Sequence, residues 1–245
     1  MRPSSTLCRS WRAFASVSCL LVMSAVAAAD AAPAAARYKH YLTGNPADVV
    51  RPTAGLLVLQ GGGDDVDENF RRMGTRGGGG DFVVLRATGD DGYQAYIHGL
   101  CHCDSVETLI VDSRAAAFDP YVVATVRNAE ALFIAGGDQA NYVRYWKGTP
   151  LEDAIHFVAA KPAPIGGTSA GMAILGEFSY SAMTPDSLTS ATALADPYAP
   201  DVTLERDFLD LPGLRGLLTD QHLQERDRIG RTVALLARLL HDGWT

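Results

Sequence analysis

The sequence predicts an α/β domain whose mostly parallel sheet lies between layers of helices, and three observations carry that reading. Short apolar runs recur at intervals along the chain. Segments of helical spacing separate them. Polar or glycine residues punctuate the carboxyl end of the runs, where open parallel sheets gather their reactive groups. Gly55–Gln60, Phe82–Ala87, Thr108–Asp112, Ala131–Ala135 and Ala163–Gly166 read as strands buried on both faces. Between them, Asp65–Met73, Asp91–Leu100, Asp119–Asn128 and Asp138–Trp146 have helical periodicity, each opening on an aspartate suited to an N-cap.

The 245 residues begin with Arg2, Arg9 and Arg12, an apolar stretch from Phe14 to Ala29, and Ala-x-Ala cleavage patterns. This is the layout of a secretory signal peptide, too short for a comfortable membrane span. Residues 1–29 are therefore expected to be a leader, 30–54 a spacer and 55–245 the functional domain, secreted or periplasmic. Losing the three leader arginines from 21 basic residues leaves 18 against 28 acidic, a net charge of −10. That balance disfavours nucleic acid and anionic membrane as partners. After leader removal the cysteines reduce to Cys101 and Cys103, flanking His102. The pair reads as a local disulfide or two inert thiols, since no second half of a zinc site accompanies it. No metal and no cofactor is expected. A homodimer is the default oligomeric state for such a domain.

Gly167-Thr168-Ser169-Ala170-Gly171 follows an apolar run and opens a helix-like one. A serine on so sharp a strand-to-helix turn is lifted clear of the backbone, as a nucleophile must be. The N–H of Ala170 would point to where an oxyanion forms. Alone, GxSxG in a glycine-rich chain is equally well a chance turn. Two other glycine clusters, Gly61-Gly62-Gly63 and Gly77–Gly80, lack phosphate-loop spacing and read as turns or close-approach loops.

A serine nucleophile needs a base, and His222 is the prime candidate, following a strand-like Leu214–Thr219. Beyond it, Arg226, Arg228 and Arg231 open a helix-like segment, Arg226–Leu240, where cations oppose the macrodipole. Such charges often face a ligand, although pairing with Glu225 and Asp227 on a solvated surface is the simpler reading from charge alone.

Three ordered motifs, Gly136-Gly137-Asp138-Gln139, Gly167-Thr168-Ser169-Ala170-Gly171 and Asp220-Gln221-His222 followed by the three arginines, resemble those of cyanophycinases and the wider S51 serine peptidases. The resemblance runs from about Gly55 to Leu240. It implies a three-layer α/β/α sandwich, flavodoxin-like and of the class I glutamine-amidotransferase type. It also implies Ser169 as nucleophile, His222 as base, and Gly136, Gly137 and Ala170 as oxyanion donors. Gln139, Asp220, Gln221, Arg226, Arg228 and Arg231 would line a pocket for a β-aspartyl or cyanophycin-type peptide. The third catalytic group falls nearest Asp186, with Glu177, Asp196 and Asp201 as alternatives. Family members continue into further strands past the arginine-bearing helix, whereas this chain stops at Thr245. A missing strand would expose a sheet edge and part of an apolar face. Competing readings are an α/β-hydrolase esterase, for which the 53 positions between Ser169 and His222 leave little room, and a non-catalytic peptide-binding domain.

Overall fold

The computed structural model describes residues 37–209 and 211–245, so the expected leader lies outside the described residues. The chain runs β1 (Lys39–Gly44), β2 (Leu56–Gln60), α1 (Asp67–Arg76), β3 (Asp81–Arg86), α2 (Gln94–Cys101), β4 (Ser105–Ile110), α3 (Arg114–Ala117), α4 (Pro120–Asn128) and β5 (Ala131–Ile134). It continues through α5 (Gln139–Trp146), α6 (Pro150–Ala160), β6 (Pro164–Thr168) and α7 (Ala170–Ala173). The last stretch holds β7 (Phe178–Tyr180), α8 (Ser190–Ala195), β8 (Leu204–Arg206), β9 (Leu218–Thr219) and α9 (Ile229–His241).

Six strands form the central sheet in the order β1-β4-β3-β5-β6-β2, parallel except for β1, which pairs antiparallel with β4. Residues 39–44, read above as spacer, thus supply an edge strand. Alternation along the strands builds a core on each face. Val83, Leu85, Leu132 and Ile134 pack with Val126, Trp146, Leu151 and Ile155 of α4–α6. Phe82, Val84 and Phe133 pack with Phe70, Met73 and Ile97 of α1 and α2. The fold is therefore mixed α/β with a mostly parallel sheet between helical layers. A second sheet, β8-β7-β9, carries the chain from the nucleophile's turn toward His222.

Some local expectations need correction. The strand at β2 is not buried on both faces: it ends the sheet, and Leu57 and Leu59 are exposed. Asp119 and Asp138 cap α4 and α5 by accepting the N–H groups of Tyr121 and Ala140, whereas Val66 and Tyr93 occupy the caps of α1 and α2 without a side-chain bond. The helix after Ser169 lasts only four residues, and α9 begins at Ile229, so Arg226 and Arg228 sit in the preceding turn. The macrodipole argument therefore does not apply to them. Cys101 and Cys103 form a disulfide. Among the described residues no helix is long and apolar enough to cross a membrane. No group of three histidines, cysteines or acids there is placed to hold a metal.

The inner side of α9 is fixed by charge as much as by packing. Arg231 is fully buried and grips Asp220 with two nitrogens, its Nε lying 2.9 Å from Oδ2. Thr232 Oγ1 donates to the same carboxylate, Arg231 donates to Leu188 O, and its guanidinium lies 4.7 Å from the Tyr180 ring centre. The outer side of α9 exposes Ile229, Val233, Leu236 and Leu240. Breaking a buried pair by removing one partner strands the other charge, a cost of about 3–5 kcal/mol. Arg231→Met is accordingly expected to lower the midpoint of urea unfolding by that equivalent, whereas Arg231→Met combined with Asp220→Leu recovers much of it.

Candidate active site

The site begins with the glycines that flank the nucleophile's turn. Ser169 has φ 51° and ψ −123°, a conformation that a residue with a side chain seldom adopts. Room for it comes from α7 lying almost against the sheet. A Cβ on Gly171 would fall 2.4 Å from Ala135 O, with Ile134 O nearer still, and one on Gly167 would lie 2.7 Å from the backbone of Gly171. The GxSxG spacing is thus a packing requirement. Ser169 N donates to Gln60 O at 3.0 Å, tying the turn to the end of β2.

His222 arrives from the segment after β9, itself left-handed with φ 51°, and its N–H donates to Gly61 O at 2.7 Å. Its Nε2 lies 2.9 Å from Ser169 Oγ. The two groups named from sequence, 53 positions apart, are in hydrogen-bond contact. Burial, and then the charges of Arg226 and Arg228, hold the His222 pKa below its ordinary value, against a smaller opposing pull from Glu225. The neutral imidazole, the form that can accept a proton, is favoured.

The Gly136-Gly137 loop adjoins the serine: a Cβ on Gly136 would sit 3.3 Å from Ser169 Cβ and 3.7 Å from its Oγ. Gly137 approaches Tyr142, whose hydroxyl donates to Ala135 O, so a side chain there would press on a buried group. Ala170 is buried directly behind Ser169 as the first residue of α7. Beside the serine opens a cavity of about 240 Å³ lined by Gly137, Asp138, Gln139, Tyr180, residues of the 182–187 loop, Gln221, Arg226 and Arg228.

The residues expected to bind substrate divide in two. Gln139, Gln221, Arg226 and Arg228 line the cavity. Gln139 is held by a bond from its Nε2 to Tyr180 O, and Gln221 Oε1 accepts from Arg228 at 2.7 Å. Arg228 is buried, and its pKa is pushed down to about 10 by that burial and by Arg231 and Arg226 nearby. Neither Arg226 nor Arg228 has a carboxylate at ion-pair distance among the described residues. Asp220 and Arg231, by contrast, are spent on each other and do not face the cavity, because two opposite charges buried together satisfy one another first.

Asp186 does not complete a relay. It is exposed on the cavity's rim and makes no bond to His222. Glu177 accepts from Gly216 N, and Asp196 accepts from Tyr198 N. Asp201, like these, makes no bond to the histidine ring. Sequence reasoning missed Tyr180 and Ser187, which line the cavity and carry no motif. It also missed the role of Gln60 and Gly61 as backbone acceptors for the two reactive residues, although the glycine cluster was visible as a close-approach loop.

The model of peptidase family S51 matches residues 90–196, a span that includes Gly136, Gly137 and Ser169. Curated cyanophycinases from Synechococcus elongatus and Thermosynechococcus vestitus are each 29% identical over 133 residues, 54% of this chain. The match spans 38% of those relatives' length. The crystal structure of a peptidase from an acI-B1 actinobacterium shares the fold, with a TM-score of 0.55 at 16% identity over 76% of each chain. The chain is thus similar to peptidase family S51 over residues 90–196 and to the two cyanophycinases over 133 residues, and it shares its fold with the actinobacterial peptidase.

Proposed function

We propose that this chain is an exported serine peptidase that hydrolyses cyanophycin or related β-aspartyl peptides through an acyl-enzyme on Ser169. The contact of 2.9 Å between Ser169 Oγ and His222 Nε2 at a strained turn carries the reading. Ser169 Oγ attacks the scissile carbonyl carbon while its proton passes to His222 Nε2. The C–N bond then breaks as the imidazolium returns that proton to the leaving amine. Water repeats the sequence on the ester, releasing the acid and restoring the serine. In this reading the N–H groups of Gly136, Gly137 and Ala170 serve as donors to the tetrahedral anion.

Charge supports the substrate class. Arg226 and Arg228 line the cavity, together with Asp138 and Asp186, and neither arginine has a carboxylate at ion-pair distance among the described residues, which suits an aspartyl carboxylate in the acyl portion. Across His222 a second hollow of about 250 Å³ is lined by Gly61, Gly62, Asp220, Leu223, Gln224 and Glu225. Its exposed acid suits a basic leaving residue.

Incubation of the mature protein with cyanophycin and with α- and β-aspartyl-arginine, read by mass analysis, tests the assignment. β-Aspartyl-arginine products are expected, and Ser169→Ala should reduce their formation by roughly 10⁴-fold or more. Undiminished turnover by that variant would refute the mechanism, and hydrolysis of p-nitrophenyl esters alone would point to an esterase. The pH profile supplies a second check. Activity requires neutral His222, so it should rise with pH through a midpoint below the ordinary histidine value of 6.5. Arg226→Gln removes a nearby positive charge that opposes protonation, so it should move that midpoint to higher pH.

A further inference from the structure

The chain between Ser169 and His222 passes through the second sheet, and one buried hydroxyl joins the elements at its two ends. The carbonyl of Ser169 accepts the N–H of Ala173 at 2.9 Å, which closes the single turn of α7. The carbonyl of Ala173, where that turn ends, accepts a hydrogen bond from Thr219 Oγ1 at 2.7 Å. The same hydroxyl accepts from Gly176 N at 3.1 Å, so it donates in one direction and accepts from another, and its orientation is fixed. Thr219 is 8% exposed and stands in β9, three residues before His222. A Cβ on Gly176 would fall 2.6 Å from Thr219 Oγ1, so the segment after α7 is bare where the hydroxyl enters.

Hydrogen bonds thus run from the nucleophile's own carbonyl, through one turn of helix, to the strand that leads into the base. Backbone pairing of Phe178 and Ser179 with Leu218 and Thr219 sets the register of β7 against β9, and Thr219 Oγ1 extends that link to α7 itself. We propose that Thr219 is a positioning residue that sets the reach between Ser169 Oγ and His222 Nε2 by tying α7 to β9. The inference rests on the reading of those two residues as nucleophile and base. It adds the side chain that holds their two elements in step. A displacement of about 1 Å at reacting groups costs about 10² in rate, so this link is expected to act on turnover and not on substrate affinity.

The test uses the rate at which a fluorophosphonate probe labels Ser169 in the mature protein, together with kcat and KM on β-aspartyl-arginine. Thr219→Val keeps the shape and removes the hydroxyl. It is expected to slow labelling and kcat by about a hundredfold with little change in KM. Thr219→Ser keeps the hydroxyl without the methyl and is expected to recover most of that loss, which a packing role for the methyl would not allow. A double-mutant cycle separates positioning from general damage. In a His222→Ala background there is no imidazole to align, so adding Thr219→Val should leave the residual labelling rate unchanged. Wild-type rates in Thr219→Val, the same hundredfold loss repeated on His222→Ala, or a Thr219→Ser protein as slow as Thr219→Val would each overturn the proposal. Should Thr219→Val fail to fold, Thr219→Ala takes its place with the same expectations. Failure of both to fold would assign the hydroxyl to stability and equally overturn the idea. Absence of labelling in the wild-type protein would instead refute the peptidase reading itself.

Discussion

The backbone at Ser169 can hold its unusual conformation only because α7 packs almost directly on β5 and β6. Strain of this kind costs about 1–3 kcal/mol and persists where the surroundings over-determine it. Here the surroundings are the carbonyls of Ile134 and Ala135, set against Gly171, and the bond from Ser169 N to Gln60 O. Any Cβ at Gly167 or Gly171 would push the short helix off the sheet and let the turn relax. Display of the hydroxyl, its distance to His222 and its nearness to Gly136 all follow from that close approach.

Electrostatics then sorts the three arginines. Arg231 and Asp220 are buried together and anchor α9 behind the site. Arg228 is almost as deeply placed but is met by Gln221 and Ser187, neutral groups that orient a guanidinium without cancelling its charge. Arg226 stays exposed at the mouth. The result is a positive potential from Arg226 and Arg228 at a cavity that Asp138 and Asp186 also line. The same potential disfavours protonation of His222.

Much of this was legible in the residues. The apolar runs located β2 to β6 to within a few positions, most clearly at β3 and β5, where burial on both faces leaves unbroken Val, Ala, Ile, Leu and Phe. Ser169 was readable because its turn demands small residues at fixed spacing, and His222 because it closes a motif. β1 escaped notice: Lys39–Gly44 is an edge strand with polar residues and little apolar signal. Roles set by long-range pairing escaped as well. Nothing local to Asp220 or Arg231 announces that they neutralise one another, and nothing local to Asp186 announces that its loop places it on the rim, away from the imidazole. α9 is apolar on two sides, with Leu235 and Leu239 buried and Ile229, Val233, Leu236 and Leu240 exposed.

β6 reads Pro-Ile-Gly-Gly-Thr, and a methyl group at Gly166 would lie 2.7 Å from Val58. The strand that leads into Ser169 therefore brings little side-chain mass of its own. Its place is kept by ladder bonds to β5 on one flank and to β2 on the other, with Val58 leaning across the gap. Since β2 closes the sheet, Ser169 stands a single strand away from open solvent. Fraying at that margin would reach the reaction centre before it reached the middle of the protein.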